Sequence, residues 1–374
     1  MRKGIRNRVM TPAKGKAAAG RVAAAMMCAA VVLAPAPRPG SAGGVLERPD
    51  RPVARSRFLM GTRLSIETDG PAPAGALDAA FEEVARLERI LSNWRRESEI
   101  SRLNHQASLA PFRCSSDLYR AIRAALKWAE KTGGAFDPTV EPLVRALRLR
   151  PAEENLSQPG AGILEIGPGT ADGVRLPIGW RHVRLQEFRH SVRFDAPGVG
   201  LDLGGIGKGI ALDAAARVLA RHGVHNALLD FGGQVLAIGR PQGAAGWPIG
   251  IADPADRDTP VSVIHGADVS ISTSGNGERA VDGPGGRIGH ILDPRAQRPA
   301  RFDGTATAAA ADATSADALS TALFVMGPEH GSRWAEGRGI AALYLWREPD
   351  GTMHRQVTRT FAERFPGSAR SLEH

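Results

Sequence analysis

An α+β fold is predicted for this chain from two observations. Amphipathic helices and short strands are mixed with no regular strand–helix repeat, and Pro- and Gly-rich stretches break the order of elements. Leu77, Phe81, Val84, Leu87, Ile90 and Leu91 recur every three or four residues, which predicts a helix over 74–92. A second helix is expected from a cap at Ser116 or Asp117, along the face Leu118, Ile122, Ala125, Leu126 and Ala129, to a stop at Gly133 and Gly134. Residues 208–222 predict a third helix ended by Gly223. Residues 316–326 predict a fourth, capped by Ser315 and stopped by Gly327 and Pro328. Strands are expected at Arg63–Thr68, His182–Leu185, Val192–Asp195, Ala227–Phe231, Val261–His265 and Ala341–Trp346, the last followed by a hairpin turn at Pro349, Asp350 and Gly351. Residues 151–178 read as an irregular insertion, and Ala306–Ala313 as a low-complexity alanine stretch.

The first 44 residues read as an export signal and linker. They hold eight of the chain's 48 Lys and Arg residues and no acid, with the apolar run VAAAMMCAAVVLA at 22–34 and a Pro-rich stretch with small-residue cleavage points near Ala42. That run is short for a membrane span, so the mature chain is expected outside the cytoplasm, in the periplasm, with an uncleaved anchor in the inner membrane as the alternative. Without this segment 40 bases face 39 acids, and the basic overall balance carries no argument for nucleic acid. Only Cys114 then remains, so no internal disulfide can form and packing alone must hold residues 45–374 together as a single domain.

The chemistry is concentrated at LDLGGIGKGIA, residues 201–211. Gly204, Gly205, Gly207 and Gly209 remove Cβ atoms where backbone must pass close to something, and the helix behind them aims unpaired amides at an anion such as phosphate. It is not a Walker A loop, because Gly209 follows Lys208. Four further constellations join it. TGGAFDPTVEPLV places Phe136 and Asp137 after a helix stop, ISTSGNGERA offers hydroxyls and Arg279 on a polar loop, and GHILDPR groups His290, Asp293 and Arg295. In SADALSTALFVMG, Asp317 and Thr321 lie one helical turn apart on one face, a pairing that suits an oxygen-loving cation such as Mg²⁺. The same two residues also suit a plain role, the acid favouring the helix dipole and the hydroxyl bonding back to a carbonyl.

In order along the chain stand MGT at 60–62, SNWRRESEISRLN at 92–104, GGAFDPTV at 133–140, LDLGGIGKGIALD at 201–213, FGGQVLAIG at 231–239, TSG at 273–275, HILDPR at 290–295 and ADALSTALFVMG at 316–327. Together they resemble the ApbE family of exported FAD:protein FMN transferases, over nearly the whole chain from about Arg57. The resemblance implies a two-lobed, T-fold-related α+β architecture with an FAD and Mg²⁺ site in the cleft between the lobes. It implies a Mg²⁺-dependent enzyme that splits the pyrophosphate of FAD, joins FMN through a phosphodiester to a Thr or Ser of an exported or membrane-bound flavoprotein, and releases AMP. By similarity, Asp317 and Thr321 would hold Mg²⁺ with the Gly207 carbonyl, and Ser320 would border that site. Met60, Trp94, Ala135, Phe136, Asp137, Gly204, Ile210 and Leu292 match positions that contact FAD. His290 is the candidate base for the acceptor hydroxyl, and Lys208 either neutralises a phosphate or pairs with a structural carboxylate.

The chain also departs from the family pattern. Ile210 and Gly277 stand where Tyr is common, Asp293–Gln297 reads DPRAQ where DP[RK]TG is usual, and Gly289 replaces an aromatic residue or His before His290. These departures imply changed flavin stacking and partner choice, with every proposed metal ligand retained. Two other activities fit the same residues, a Mg²⁺-dependent FAD pyrophosphatase giving FMN and AMP, and a non-catalytic exported FAD-binding protein.

Overall fold

β1 (Val53–Leu59) and β2 (Thr62–Thr68) form a hairpin in which only Met60 and Gly61 make the turn, both with positive φ (46° and 76°). That is the geometry whose twist matches two paired strands. The computed structural model describes residues 52–147, 149, 175–276, 280–283 and 286–366. The expected export segment, Gly277, Arg279 and all but the last residues of the expected insertion lie outside them.

α1 (Ala76–Leu91) buries Leu77, Phe81, Val84, Leu87 and Leu91, the face that the spacing predicts. α2 (Glu99–Gln106) starts at Ser98, and β3 (Phe112–Arg113) leads to α3 (Ser116–Lys131). The cap of α3 is Ser115 rather than Ser116 or Asp117. Its hydroxyl accepts the Leu118 amide at 3.2 Å and donates to Glu99, 2.6 Å away, a partner that local sequence does not reveal. α4 (Glu141–Ala146) precedes β4 (Val183–Gln186) and β5 (Ser191–Phe194), which with β3 make a small antiparallel sheet in the order β3-β5-β4. α5 (Gly207–Arg221) follows.

The large sheet is completed by the second half of the chain. Its order is β1-β2-β6-β7-β10-β15-β16-β17, with β6 (Ala227–Phe231), β7 (Gln234–Ile238), β10 (Val269–Gly275), β15 (Thr305–Ala310), β16 (Ala341–Arg347) and β17 (Met353–Val357). Every neighbouring pair is antiparallel, so the sheet is not doubly wound and the α+β expectation holds. Between these strands lie three hairpins: β8 (Trp247–Ala252) with β9 (Pro260–Gly266), β11 (Ala280–Gly283) with β12 (Gly286–Gly289), and β13 (Leu292–Asp293) with β14 (Arg298–Pro299).

Two stretches differ from expectation. Thr305–Ala310, within the alanine-rich stretch, is a strand with Ala306 and Ala308 fully buried, because α6 (Ala313–Glu336) crosses it and only a methyl group fits. The polar stretch before Gly275 is likewise the strand β10, its Ser270 and Ser272 buried. α6 also begins earlier than expected. Asp312, not Ser315, is its cap, and the Asp312 carboxylate accepts both the amide and the hydroxyl of Ser315 at 2.7 and 2.8 Å. The helix breaks at Gly327, where φ is 73°, and resumes after Pro328.

The sheet is apolar on both faces. Ala227, Leu229 and Phe231 of β6 join Leu64, Ile66, Phe81, Leu118 and Leu212 in the largest core, which α1, α3 and α5 cover. Leu228 points the other way, to Trp247, Ile249 and Ile264 of the β8–β9 hairpin and Phe361 of α7 (Arg359–Arg364). Each fully buried Phe contributes about 2 kcal/mol by transfer alone. Ala318 and Ala322 of α6 belong to the same core as α5, so the two helices bearing the conspicuous motifs are packed against each other.

Candidate active site

The glycine turn is held from several sides. Asn93 and Asn104 donate to the Leu201 carbonyl at 2.7 and 2.9 Å, Asn104 accepts the Leu201 amide at 2.8 Å, and the Asp202 amide donates to the Pro138 carbonyl at 2.7 Å. These bonds bring SNW, GGAFDP and LDLGG, which lie far apart in sequence, to one place. The turn then meets α6. A Cβ on Gly205 would stand 3.0 Å from Thr321 Oγ1 and 3.2 Å from Phe136 Cε2, so the absence of a side chain there lets Phe136, the turn and Thr321 converge. Asp317 Oδ2 accepts the Gly209 amide at 2.9 Å, fixing the carboxylate against the first turn of α5. Gly209 is itself required, because a Cβ there would run into the backbone of Ala313 and Thr314.

Asp317 and Ser320 are buried, at 4 % and 0 % exposure, and Thr321 is partly exposed on the same helix. Ser320 faces the sheet: its Oγ lies 3.0 and 2.9 Å from the hydroxyls of Ser272 and Ser274 and 3.0 Å from the Asp317 carbonyl. This hydroxyl cluster locks α6 to β10 directly behind Asp317. Asp213, about one turn beyond Gly209 on α5, accepts the amides of Ala313 and Thr314 at 2.8 and 3.0 Å and the Thr314 hydroxyl, so α5 caps the start of α6. Burial raises the Asp213 carboxyl above its ordinary value, and these donors oppose the rise.

Lys208 borders the β6–β7 hairpin, whose turn is Gly232 and Gly233. Burial also raises the carboxyl of Asp230, opposed by the Gly233 amide at 3.0 Å and by the charges of Arg63, Lys208 and Arg257. Lys208, Arg63 and Arg257 thus all act electrostatically on the Asp230 carboxylate. Gln234, next in the hairpin, donates to the Ala313 carbonyl at 2.8 Å.

The remaining expected residues lie around this centre. Met60 occupies the β1–β2 turn and packs partly buried on the main core, as does Ile210. Trp94 is 43 % exposed, one residue from the Asn93 bond to Leu201. Ala135 and Phe136 are buried. Asp137 caps a short turn, its carboxylate accepting the Thr139 amide, the Thr139 hydroxyl and the Trp180 amide at 2.9, 2.6 and 2.9 Å, and burial raises its carboxyl. Gly204 donates to Asp202 at 2.7 Å. Leu292 is buried, and the preceding Ile291, next in sequence to His290, packs with Leu319, Leu323 and Phe324 of α6. A Cβ on Gly289 would meet the carboxamide of Asn276, which would have to swing aside.

Sequence reasoning passed over Asp213, Asp230, Gln234, Ser272 and Asn276. Asp213 and Gln234 stand within the motifs LDLGGIGKGIALD and FGGQVLAIG, and Ser272 and Asn276 within ISTSGNGERA, but nothing local singles them out. Asp213, Gln234 and Ser272 act through partners dozens of residues away, whereas Asp230 is bonded by the nearby Gly233 amide.

The family model described as "ApbE family" matches residues 60–344, from the first hairpin turn to β16. The chain belongs to the ApbE family. Among ApbE relatives, the FAD:protein FMN transferase of Treponema pallidum is 33 % identical over 327 residues, covering 82 % of this chain and 87 % of its own. The enzyme of the same name from Klebsiella pneumoniae is 30 % identical, covering 78 % and 83 %. The ApbE protein structure from Thermotoga maritima superposes with a TM-score of 0.71 at 30 % identity, covering 84 % of this chain and 99 % of its own. The flavin transferase ApbE of Vibrio cholerae gives the same score and coverage at 27 % identity. The convergence of Phe136, Gly205, Gly209, Asp317 and Thr321 is therefore found within an ApbE fold.

Proposed function

We propose that this chain transfers FMN from FAD to a hydroxyl of a partner flavoprotein and releases AMP. The observation that carries the reading is the meeting of the glycine turn with Asp317 and Thr321, in a chain that matches enzymes named for this reaction across most of their length. The resident cation proposed here is Mg²⁺. One carboxylate, the Thr321 hydroxyl and backbone carbonyls including that of Gly207 are the hard oxygen donors Mg²⁺ takes, and Gly205 lets Thr321 approach the turn. Asp317 and Thr321 are the side-chain donors, and Ser320, turned to Ser272 and Ser274 and bonded to the Asp317 backbone carbonyl, fixes this stretch of α6 to β10. When bound, Mg²⁺ would neutralise charge developing on phosphate oxygens.

The chain's own residues account for the rest. Lys208, in the first turn of α5, supplies positive charge for the pyrophosphate. Phe136 lies against the turn and Trp94 offers an exposed aromatic face to a flat ring. The acceptor oxygen attacks the riboflavin-side phosphorus, the bond from that phosphorus to the bridging oxygen breaks, and AMP leaves with the electron pair. His290 takes the acceptor proton, a task for which an imidazole is suited near neutral pH. The leader composition supports work outside the cytoplasm, in the periplasm or at the inner membrane, on an exported Thr- or Ser-bearing acceptor.

One assay decides among the activities the residues allow. The mature chain is incubated with FAD, Mg²⁺ and a Thr-bearing acceptor peptide. A peptide heavier by the mass of FMN less water, with AMP released, supports transfer. Free FMN without modified peptide indicates a pyrophosphatase, and intact bound FAD a carrier.

A further inference from the structure

Gln297 stands in the turn between β13 and β14 with φ 52°, a left-handed conformation that side-chain-bearing residues rarely adopt. Its carboxamide grips one distant residue twice: Oε1 accepts the Leu176 amide and Nε2 donates to the Leu176 carbonyl, each at 3.0 Å. The pairing uses one donor and one acceptor against one N–H and one C=O, as a neighbouring strand would. Leu176 opens a short strap. Pro177 lies against Gly198, its Cγ 3.2 Å from where a Cβ would stand, and the Ile178 amide donates to the Leu176 carbonyl at 2.8 Å.

The far end of the strap is bonded to another part of the site. The Gly179 amide donates to Thr139 Oγ1 at 2.8 Å, and the Trp180 amide to Asp137 Oδ2 at 2.9 Å. Residues 176–180 therefore tie the His290–Gln297 segment to the loop that carries Phe136 and Asp137. The two loops also meet directly: Arg295, ion-paired with Asp293 at 3.0 Å, has its Cγ 3.8 Å from the position a Cβ on Gly134 would take.

We propose that Gln297 is a positioning residue for FAD: by clamping Leu176 it holds the 176–180 strap taut and so sets the spacing between Phe136–Asp137 and His290–Leu292. It acts through Leu176, Gly179 and Trp180 and does not itself touch the flavin. The flavin part of this inference rests on the function proposed above.

The test uses the mature full chain and the variants Q297G and Q297N. Both replacement residues accept positive φ, and Asn is one methylene too short to keep the clamp, so backbone strain is removed as a variable. Three quantities are measured: hydrogen exchange over 133–140 and 175–182, the dissociation constant for FAD, and KM and kcat for FMN transfer. Exchange is expected to rise in both segments. The FAD dissociation constant and KM should rise about tenfold, the scale of two lost neutral hydrogen bonds, with kcat falling less than about threefold. Q297E, which keeps only the acceptor half of the clamp, should fall between wild type and Q297G. Faster exchange confined to 175–178, with 133–140 and FAD affinity unchanged, overturns the proposal. If the wild-type chain neither binds FAD nor transfers FMN, the proposed function fails instead. The coupling of Gln297 to 133–140 is then still decided by the exchange data.

Discussion

The carboxylate of Asp317 accepts the backbone amide of Gly209 at 2.9 Å, across 108 residues of sequence. One side chain therefore both anchors α5 to α6 and presents a charge next to Thr321. These two roles separate under substitution. Asp317→Asn keeps an oxygen for the Gly209 amide but removes the charge, so FMN transfer should fall at least about a hundredfold while the melting temperature moves by only a few degrees. Transfer within a few fold of wild type would remove Asp317 from the proposed cation site.

Two glycines in the same turn should respond in opposite ways. Gly209→Ala drives a methyl group into the backbone of Ala313 and Thr314, which cannot retreat without displacing α6, and should cost about 2–4 kcal/mol of stability. Gly205→Ala meets Thr321 and Phe136 at 3.0–3.2 Å, where side chains can give a few tenths of an ångström. That variant should fold with a loss of about 1 kcal/mol or less and lose most of its activity. Thermal denaturation and the transfer assay on both variants check the contrast, and an active Gly205→Ala enzyme would show that this gap is not part of the site.

His290→Asn retains a polar side chain of similar reach but no base. FAD binding should persist, and transfer to the acceptor should drop by roughly a hundredfold or more. Equal rates in the two proteins at every pH would assign the proton to another group.

Acid sensitivity should come partly from Asp253, just after β8. The Arg347 guanidinium, 3.2 Å away through Nε and closer through Nη2, holds its carboxyl below the ordinary value. A carboxylate whose folded pKa is depressed stabilises the fold above its unfolded pKa, near 3.8, and loses that contribution as pH falls through the folded value. Asp253→Asn should therefore melt below wild type at pH 7, and the gap should close below about pH 4. A gap that stays constant from pH 7 to pH 3 would contradict the ion pair's role.

Local pattern made the helices readable. α1, α3 and α5 were predicted within a few residues because each buries one stripe against a single core. Where a neighbour sets the requirement, the pattern failed. Thr305–Ala310 looks featureless because α6 passes too close for anything larger than alanine, and the serines of β10 read as loop because their partner, Ser320, lies on a helix 46 residues away. The caps Ser115 and Asp312 were each missed in favour of a nearby serine or acid, since Asp312, Ser315, Ser116 and Asp117 all suit a helix start and only the bonds choose. Site residues with conspicuous spacing, such as Asp317 and Thr321, could be proposed from sequence. Gln297 could be noticed only as an odd residue in a turn, because its partner is Leu176 backbone.

Asp213 caps α6 from α5, with 100 residues between its carboxylate and the Ala313 amide. A chain still emerging from synthesis, or threading through a membrane channel, carries the acid without the helix it caps. No N-terminal fragment that ends before α6 can hold the site, and the catalytic arrangement should arise late in folding, after the closure of a loop of that length. Activity is thereby tied to completion of the chain as far as α6.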